Sequence, residues 1–70
     1  MKENRIKELR EEQGLSQSEL ARRARIGSTN LNAIEHGRIY AWPKARRSLA
    51  KALKVTQKEL FPEEAQSEHR

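Results

Sequence analysis

Two hexamers, LSQSEL at 15–20 and VTQKEL at 55–60, share one grammar. Each opens on an apolar residue, continues with Ser or Thr, and places Glu three residues after that hydroxyl. At a helix start the hydroxyl accepts from the third backbone N–H, and the Glu carboxylate reaches back to the N–H of the capping residue. Leu15 with Leu20, and Val55 with Leu60, then stand at the apolar positions that staple such a box. The chain is therefore bound to begin helices at Ser16 and Thr56. A third start is weaker: Gly27 as N-cap pairs Ile26 with Leu31 in the same relation.

These anchors, extended by apolar spacing, predict an all-α fold of five short helices and no strand. The first runs from Arg5 to Gln13, with Asn4 as N-cap and Gly14 as a left-handed stop. Ile6 and Leu9 give it a thin apolar side. The second spans Gln17 to Ala24 and buries Leu20, Ala21 and Ala24. The third spans Ser28 to His36 and ends at Gly37, with Leu31 and Ile34 inward. The fourth starts at Pro43, a good first-turn residue, and runs to Leu53 with Ala45, Leu49, Ala52 and Leu53 inward. The fifth is a turn or two, Gln57 to Phe61, stopped by Pro62. Only Arg25, Ile26 and Gly27 separate the second helix from the third, the short connection of a helix-turn-helix. With 70 residues, 34% of them hydrophobic and 4% aromatic, the core is thin and the chain is one small domain. The expected division is a folded domain over 1–62 and a flexible acidic tail over 63–70.

Several function classes fall away on composition. There is no cysteine, hence no disulfide and no thiolate site. His36 and His69 are too few for a tetrahedral metal site without carboxylate help, so no metal and no cofactor is expected. No apolar run approaches the ~18 residues of a membrane span, and the first residues, MKENRIKELREE, do not resemble a signal peptide. The expectation is a cytoplasmic protein without a membrane partner. The chain has no convincing paired-acid pocket and is too short for a roomy cleft, so an enzyme is not expected.

The net charge is +5, and it is regional. From Leu20 to Lys54 the bases are Arg22, Arg23, Arg25, Arg38, Lys44, Arg46, Arg47, Lys51 and Lys54, against Glu35 alone. Glu59, Glu63, Glu64 and Glu68 then turn the tail acidic. A merely solubilising surface mixes its signs more evenly. Acidic partners follow, chiefly nucleic acid or an anionic membrane surface.

Inside this basic field lies a neutral stretch, IGSTNLNAI at 26–34. At about 100° per residue, Leu31 and Ile34 share one face of the third helix. Thr29, Asn32, Ala33 and His36 share the other, with Ser28 at the exposed start. Amide, hydroxyl and methyl groups without charge suit base edges in a DNA major groove. The flanking Arg and Lys side chains suit phosphates, which position a protein without reading sequence.

Leu15 to Gly37, LSQSELARRARIGSTNLNAIEHG, resembles the helix-turn-helix of the phage-repressor and Cro-like family, the XRE-type regulators. LAKALKV followed by ELF resembles that family's fourth and fifth helices, so the likeness covers residues 4 to 61. It implies a compact five-helix, lambda-repressor-like domain that binds double-stranded DNA. Ser28, Thr29, Asn32 and Ala33 match base-facing positions of the recognition helix. Gln17 matches a phosphate-touching position, His36 and Arg38 match backbone-contacting ones, and Lys44 matches a region that approaches phosphate or the minor groove. Arg22 and Arg25 join the phosphate set. Arg10 and Glu35 match a semi-buried ion pair tying the first helix to the third. The family surface near the third-to-fourth helix loop often makes a two-fold contact, which puts Tyr40 and Trp42 forward as dimer residues. The implied function is a transcriptional regulator, a repressor before an activator, bound as a homodimer to a pseudo-palindromic operator. A dimer of so small a chain is expected to be weak and to form chiefly on DNA. A bacterial, phage or mobile-element origin fits this reading.

The chain departs from the family where glycine is common in the turn and Arg25 stands here. A left-handed Arg25 costs about 1 kcal/mol. RIYAWP at 38–43 is unusually apolar and aromatic, and Trp42 has two places open to it, the bottom of the core or a two-fold contact. Plainer readings exist for the rest. Ser28, Thr29 and Asn32 make an ordinary solvated face, Arg22, Arg23, Arg46 and Arg47 solubilise, and His36 complements a helix C-terminus. The rival function is a protein-interaction module, antitoxin-like or adaptor-like, anchored through the aromatic loop.

Overall fold

The computed structural model describes residues 4–62, and the acidic tail expected over 63–70 lies outside them. Among the described residues there are five helices and no strand: α1 (Ile6–Glu12), α2 (Gln17–Ala24), α3 (Ser28–Glu35), α4 (Pro43–Leu53) and α5 (Gln57–Leu60). Both capping boxes form. Ser16 Oγ accepts from Glu19 N–H at 3.1 Å, and Glu19 Oε1 accepts from Ser16 N–H at 2.9 Å. Thr56 and Glu59 repeat the exchange at 3.1 and 3.0 Å.

α1 begins one residue later than its cap pattern predicts. The Arg5 N–H is drawn to Leu60 O at 3.0 Å, which holds Arg5 in a non-helical conformation as the capping residue. Asn4 still serves the helix, because its Oδ1 accepts from Ile6 N–H at 3.2 Å.

The helix ends follow one rule. α1 through α4 each close with a left-handed residue: Gly14, Arg25, Gly37 and Lys54. At each, a pair of reverse bonds satisfies orphan carbonyls, as in Ile26 N–H to Ala21 O (3.0 Å) with Arg25 N–H to Arg22 O (3.2 Å). After three of these stops the next residue is apolar and packs on the core: Leu15, Ile26 and Val55. That contact lets Arg25 and Lys54 hold an angle that glycine adopts without cost. Lys54 carried no sequence signal for it.

α2 packs chiefly on α4 and α3, while α4 also meets α1 and α5. Ile6, Leu20, Leu31, Ile34, Leu49, Leu53 and Leu60 are the largest fully buried side chains, each worth about 1.5–3 kcal/mol of burial. Small buried residues, Ala21 and Ala24 on α2 with Ala45 and Ala50 on α4, let those two helices approach closely. Ala52, expected inward, is only half-buried, and Ala50 takes its place. The stop at Lys54 folds Val55 back over that side of α4, with Val55 N–H donating to Ala50 O at 3.0 Å. Two side chains then tie distant helix ends. Asn4 Nδ2 donates to Ile34 O at 2.8 Å, and Gln13 Nε2 donates to Leu53 O at 2.7 Å. Both carbonyls belong to last turns, which lack helical partners.

Candidate nucleic-acid interface

The turn between α2 and α3 fixes how α3 presents itself. Arg25 sits at φ 61°, Ile26 plugs into the core edge, and Gly27 returns to extended backbone at φ −67°, ψ 145°. α3 then buries Leu31 and Ile34 and turns its other side outward. Ser28 and Thr29 are exposed, and Asn32 and Ala33 are half-buried beside them. Among the described residues, no hydrogen bond ties the side chains of Ser28, Thr29 or Asn32 to the rest of the chain. The groups are thus available to an outside partner.

His36 ends this face. Its Nδ1 lies 2.9 Å from Asn32 O. A carbonyl can only accept, so Nδ1 carries the proton and Nε2 is left facing solvent. Arg22, Arg25, Arg38 and Lys44 are all exposed around the face. Arg46 is held differently, its Nη1 donating to Ala41 O at 2.8 Å.

Beneath the face lies an ionic link. Arg10 Nε and Nη2 meet Glu35 Oε2 and Oε1 at 2.9 and 3.3 Å. Their side chains are only 11% and 2% exposed, so this is a two-pronged, largely dry pair joining α1 to α3. Arg10 Nη1 also donates to Leu15 O at 2.9 Å. Gln17 Nε2 donates to the same carboxylate, Glu35 Oε1, at 3.1 Å. Sequence reasoning placed Gln17 at a phosphate and missed this bond. One of the two amide N–H groups is thus engaged, and Gln17 keeps for a phosphate the second one and its backbone N–H, which has no helical partner at the first position of α2.

The loop before α4 resolves the two places open to Trp42. Ala41, at 2% exposure, fills the core edge, while Ile39, Tyr40 and Trp42 stand out at 39%, 64% and 39%. Trp42 does not close the core.

A cleft of about 410 Å³ lies where this loop faces the turn. Arg25, Gly27 and Asn30 form one wall, and Trp42, Lys44 and Ser48 the other. Asn30 and Ser48 carried no site expectation from sequence. Both walls meet only in the folded chain, so no local pattern marks them.

Comparison with known proteins agrees with this geometry. Residues 4–65 match the family described as "Helix-turn-helix domain". Among solved structures, the chain is similar to one from a complex of SinR protein with SinI protein, at 30% identity and a TM-score of 0.77. The match covers 90% of this chain and 62% of that one, so this chain spans under two thirds of its neighbour's length. No curated protein matches.

Proposed function

The chain belongs to the helix-turn-helix domain family, of the XRE type, and on that premise we propose that it is a sequence-specific DNA-binding regulator that reads bases with α3. The observation that carries this is the outward face of α3. Ser28, Thr29, Asn32 and Ala33 offer neutral donors, acceptors and a methyl, unbonded within the described chain and framed by exposed cations. Asn32 is suited to a bidentate bond with adenine, and Ala33 to contact with a thymine methyl. Arg22, Arg25, Arg38, Lys44, His36 and the Gln17 backbone N–H serve phosphates, which supply affinity without reading sequence.

The regulator acts as a homodimer on an inverted repeat, with repression the first expectation. Its exposed Tyr40 and Trp42 provide the two-fold contact, formed on DNA. Each phosphate neutralised contributes a slope of about −0.9 to the log–log dependence of affinity on salt.

The separation of roles is testable. Asn32→Ala removes discrimination at one base pair, by about 1–3 kcal/mol. Lys44→Ala weakens all sequences alike and reduces the salt slope. Binding titrations across operator variants read both effects, and identical behaviour of the two variants contradicts the assignment.

A second reading has its own support. The similar structure is that of SinR with SinI, and here Ile39, Tyr40 and Trp42 leave an exposed apolar patch of the kind that anchors protein partners. A partner protein retained through Trp42, with no duplex bound, favours the interaction module over the DNA regulator. No catalytic role is proposed.

A further inference from the structure

Two surfaces of opposite charge lie outside the α3 face. Lys44, Arg47, Lys51 and Lys54 recur every three or four residues and so share one side of α4 and its cap. That side is about 15 Å long. All four cations are exposed, and α4, PKARRSLAKAL, holds no acid. A merely solvating surface mixes its signs, and this one does not. Lys44 is already assigned to phosphate, which leaves Arg47, Lys51 and Lys54. The other surface is a groove of about 700 Å³ beside α1, lined by Asn4, Lys7, Glu8, Glu11, Glu12 and Glu35. Glu35 is bound within the chain by Arg10, and Glu8 meets Arg5 at 3.1 Å. Glu11 and Glu12 are exposed. Among the described residues, the side chains of Glu11, Glu12, Arg47, Lys51 and Lys54 have no ion-pair or hydrogen-bond partner. The two surfaces therefore do not satisfy each other within one chain.

We propose that the cationic side of α4 docks into the acidic groove beside α1 of a second copy of this chain. Long Arg and Lys side chains on a convex helix suit a groove edged by free carboxylates. A second copy is the occupant because each chain carries both halves of the match, and neither half is met inside it. The contact joins unlike surfaces, so it repeats head to tail, as a ring or an open row. It is distinct from the two-fold contact proposed at Tyr40 and Trp42. Exposed ion pairs are individually weak, so the contact dissociates in dilute solution. It gains weight where copies are held at high local concentration along one duplex. That use rests on the DNA reading above, and the contact itself does not.

The test exchanges the charges. Glu11→Lys/Glu12→Lys turns the groove edge cationic, and Arg47→Glu/Lys51→Glu puts two carboxylates at the centre of the α4 stripe. Each double variant moves the net charge of +5 by four units, to +9 and +1. The two variants thus keep one sign in bulk and attract only through matched surfaces. Lys and Glu both suit exposed helix positions, and circular dichroism checks the fold. None of the four residues belongs to the duplex-facing set. Amide chemical shifts are followed at millimolar protein and low salt. In the unaltered protein, changes along α1 and α4 grow with concentration and vanish in about 0.5 M salt, where the screening length is about 4 Å. Either variant alone loses them, and an equimolar mixture of the two restores them. A silent mixture, or changes confined to Ile39, Tyr40 and Trp42, overturns the proposal. So does a response of Arg47 and Lys51 to added random duplex but not to added protein, which makes nucleic acid the occupant. The contact is read without DNA, so its loss leaves the DNA reading intact, and failure to bind any duplex leaves the contact intact.

Discussion

The starts of α2 and α5 and the starts of α3 and α4 solve one problem in opposite ways. Every helix begins with backbone N–H groups that lack partners. α2 and α5 satisfy part of theirs within the chain, through reciprocal bonds between Ser16 and Glu19 and between Thr56 and Glu59. α3 begins on Gly27 and α4 on Trp42 before Pro43, with no side-chain cap and no first-turn acid. The first pair of starts belongs to a scaffold that closes on itself. The second pair is left open toward a common cleft. On the reading proposed above, the side-chain caps of α2 and α5 serve stability and the uncapped starts of α3 and α4 face the duplex, and that division can be attacked from either side.

The largest effect is expected on the closed side. Arg10→Met leaves the Glu35 carboxylate, 2% exposed, without its cation and should cost about 3 kcal/mol in urea unfolding. The double variant Arg10→Met/Glu35→Leu recovers most of that loss, because the penalty comes from an unpaired buried charge. A smaller effect separates the two strained stops. Arg25→Gly and Lys54→Gly each relieve a left-handed non-glycine residue and gain up to about 1 kcal/mol. Only Arg25→Gly lowers duplex affinity and the salt slope, since Lys54 lies away from the cleft. Equal binding losses in both would erase the distinction.

Closing an open start gives a smaller change still. A Cβ at Gly27 meets nothing closer than Asn30 Nδ2 at 3.8 Å. Gly27→Asp therefore caps α3 and adds a few tenths of a kcal/mol of stability, while its carboxylate repels phosphates and weakens all duplexes. A variant that is both more stable and a weaker binder is what the division predicts. The smallest effect is the pH response of Glu19. The Ser16 backbone N–H above all holds its carboxyl below the usual carboxylate range, with desolvation opposing and the Ser16 hydroxyl, Arg23 and Arg22 assisting. A lowered folded-state pKa contributes stability above the unfolded value and loses it as pH falls through the folded one. Thermal unfolding followed into acid should show a shallower decline for Glu19→Gln.

Sequence reached the parts of this structure that are written locally. Both capping boxes, the stops at Gly14 and Gly37, Pro43 at the start of α4 and the inward pair Leu31 and Ile34 each depend on residues within a turn or two. What it missed depends on residues far apart. Asn4 and Gln13 cap carbonyls of α3 and α4, and Gln17 bonds Glu35. Ala41 rather than Trp42 enters the core. The outward face of α3 was legible as a pattern on one helix. The cleft was not, since Asn30 and Ser48 meet only when the turn is set against α4.

The measurement that tests the central claim most directly is selection of bound sequences from a random duplex library with purified protein at physiological salt. The account predicts an enriched inverted repeat whose half-sites lie about one helical turn apart. It also predicts that Asn32→Ala loses preference at a single position of each half-site. Binding only at low salt, with no sequence enriched, would contradict it and leave a cationic surface without a reading helix.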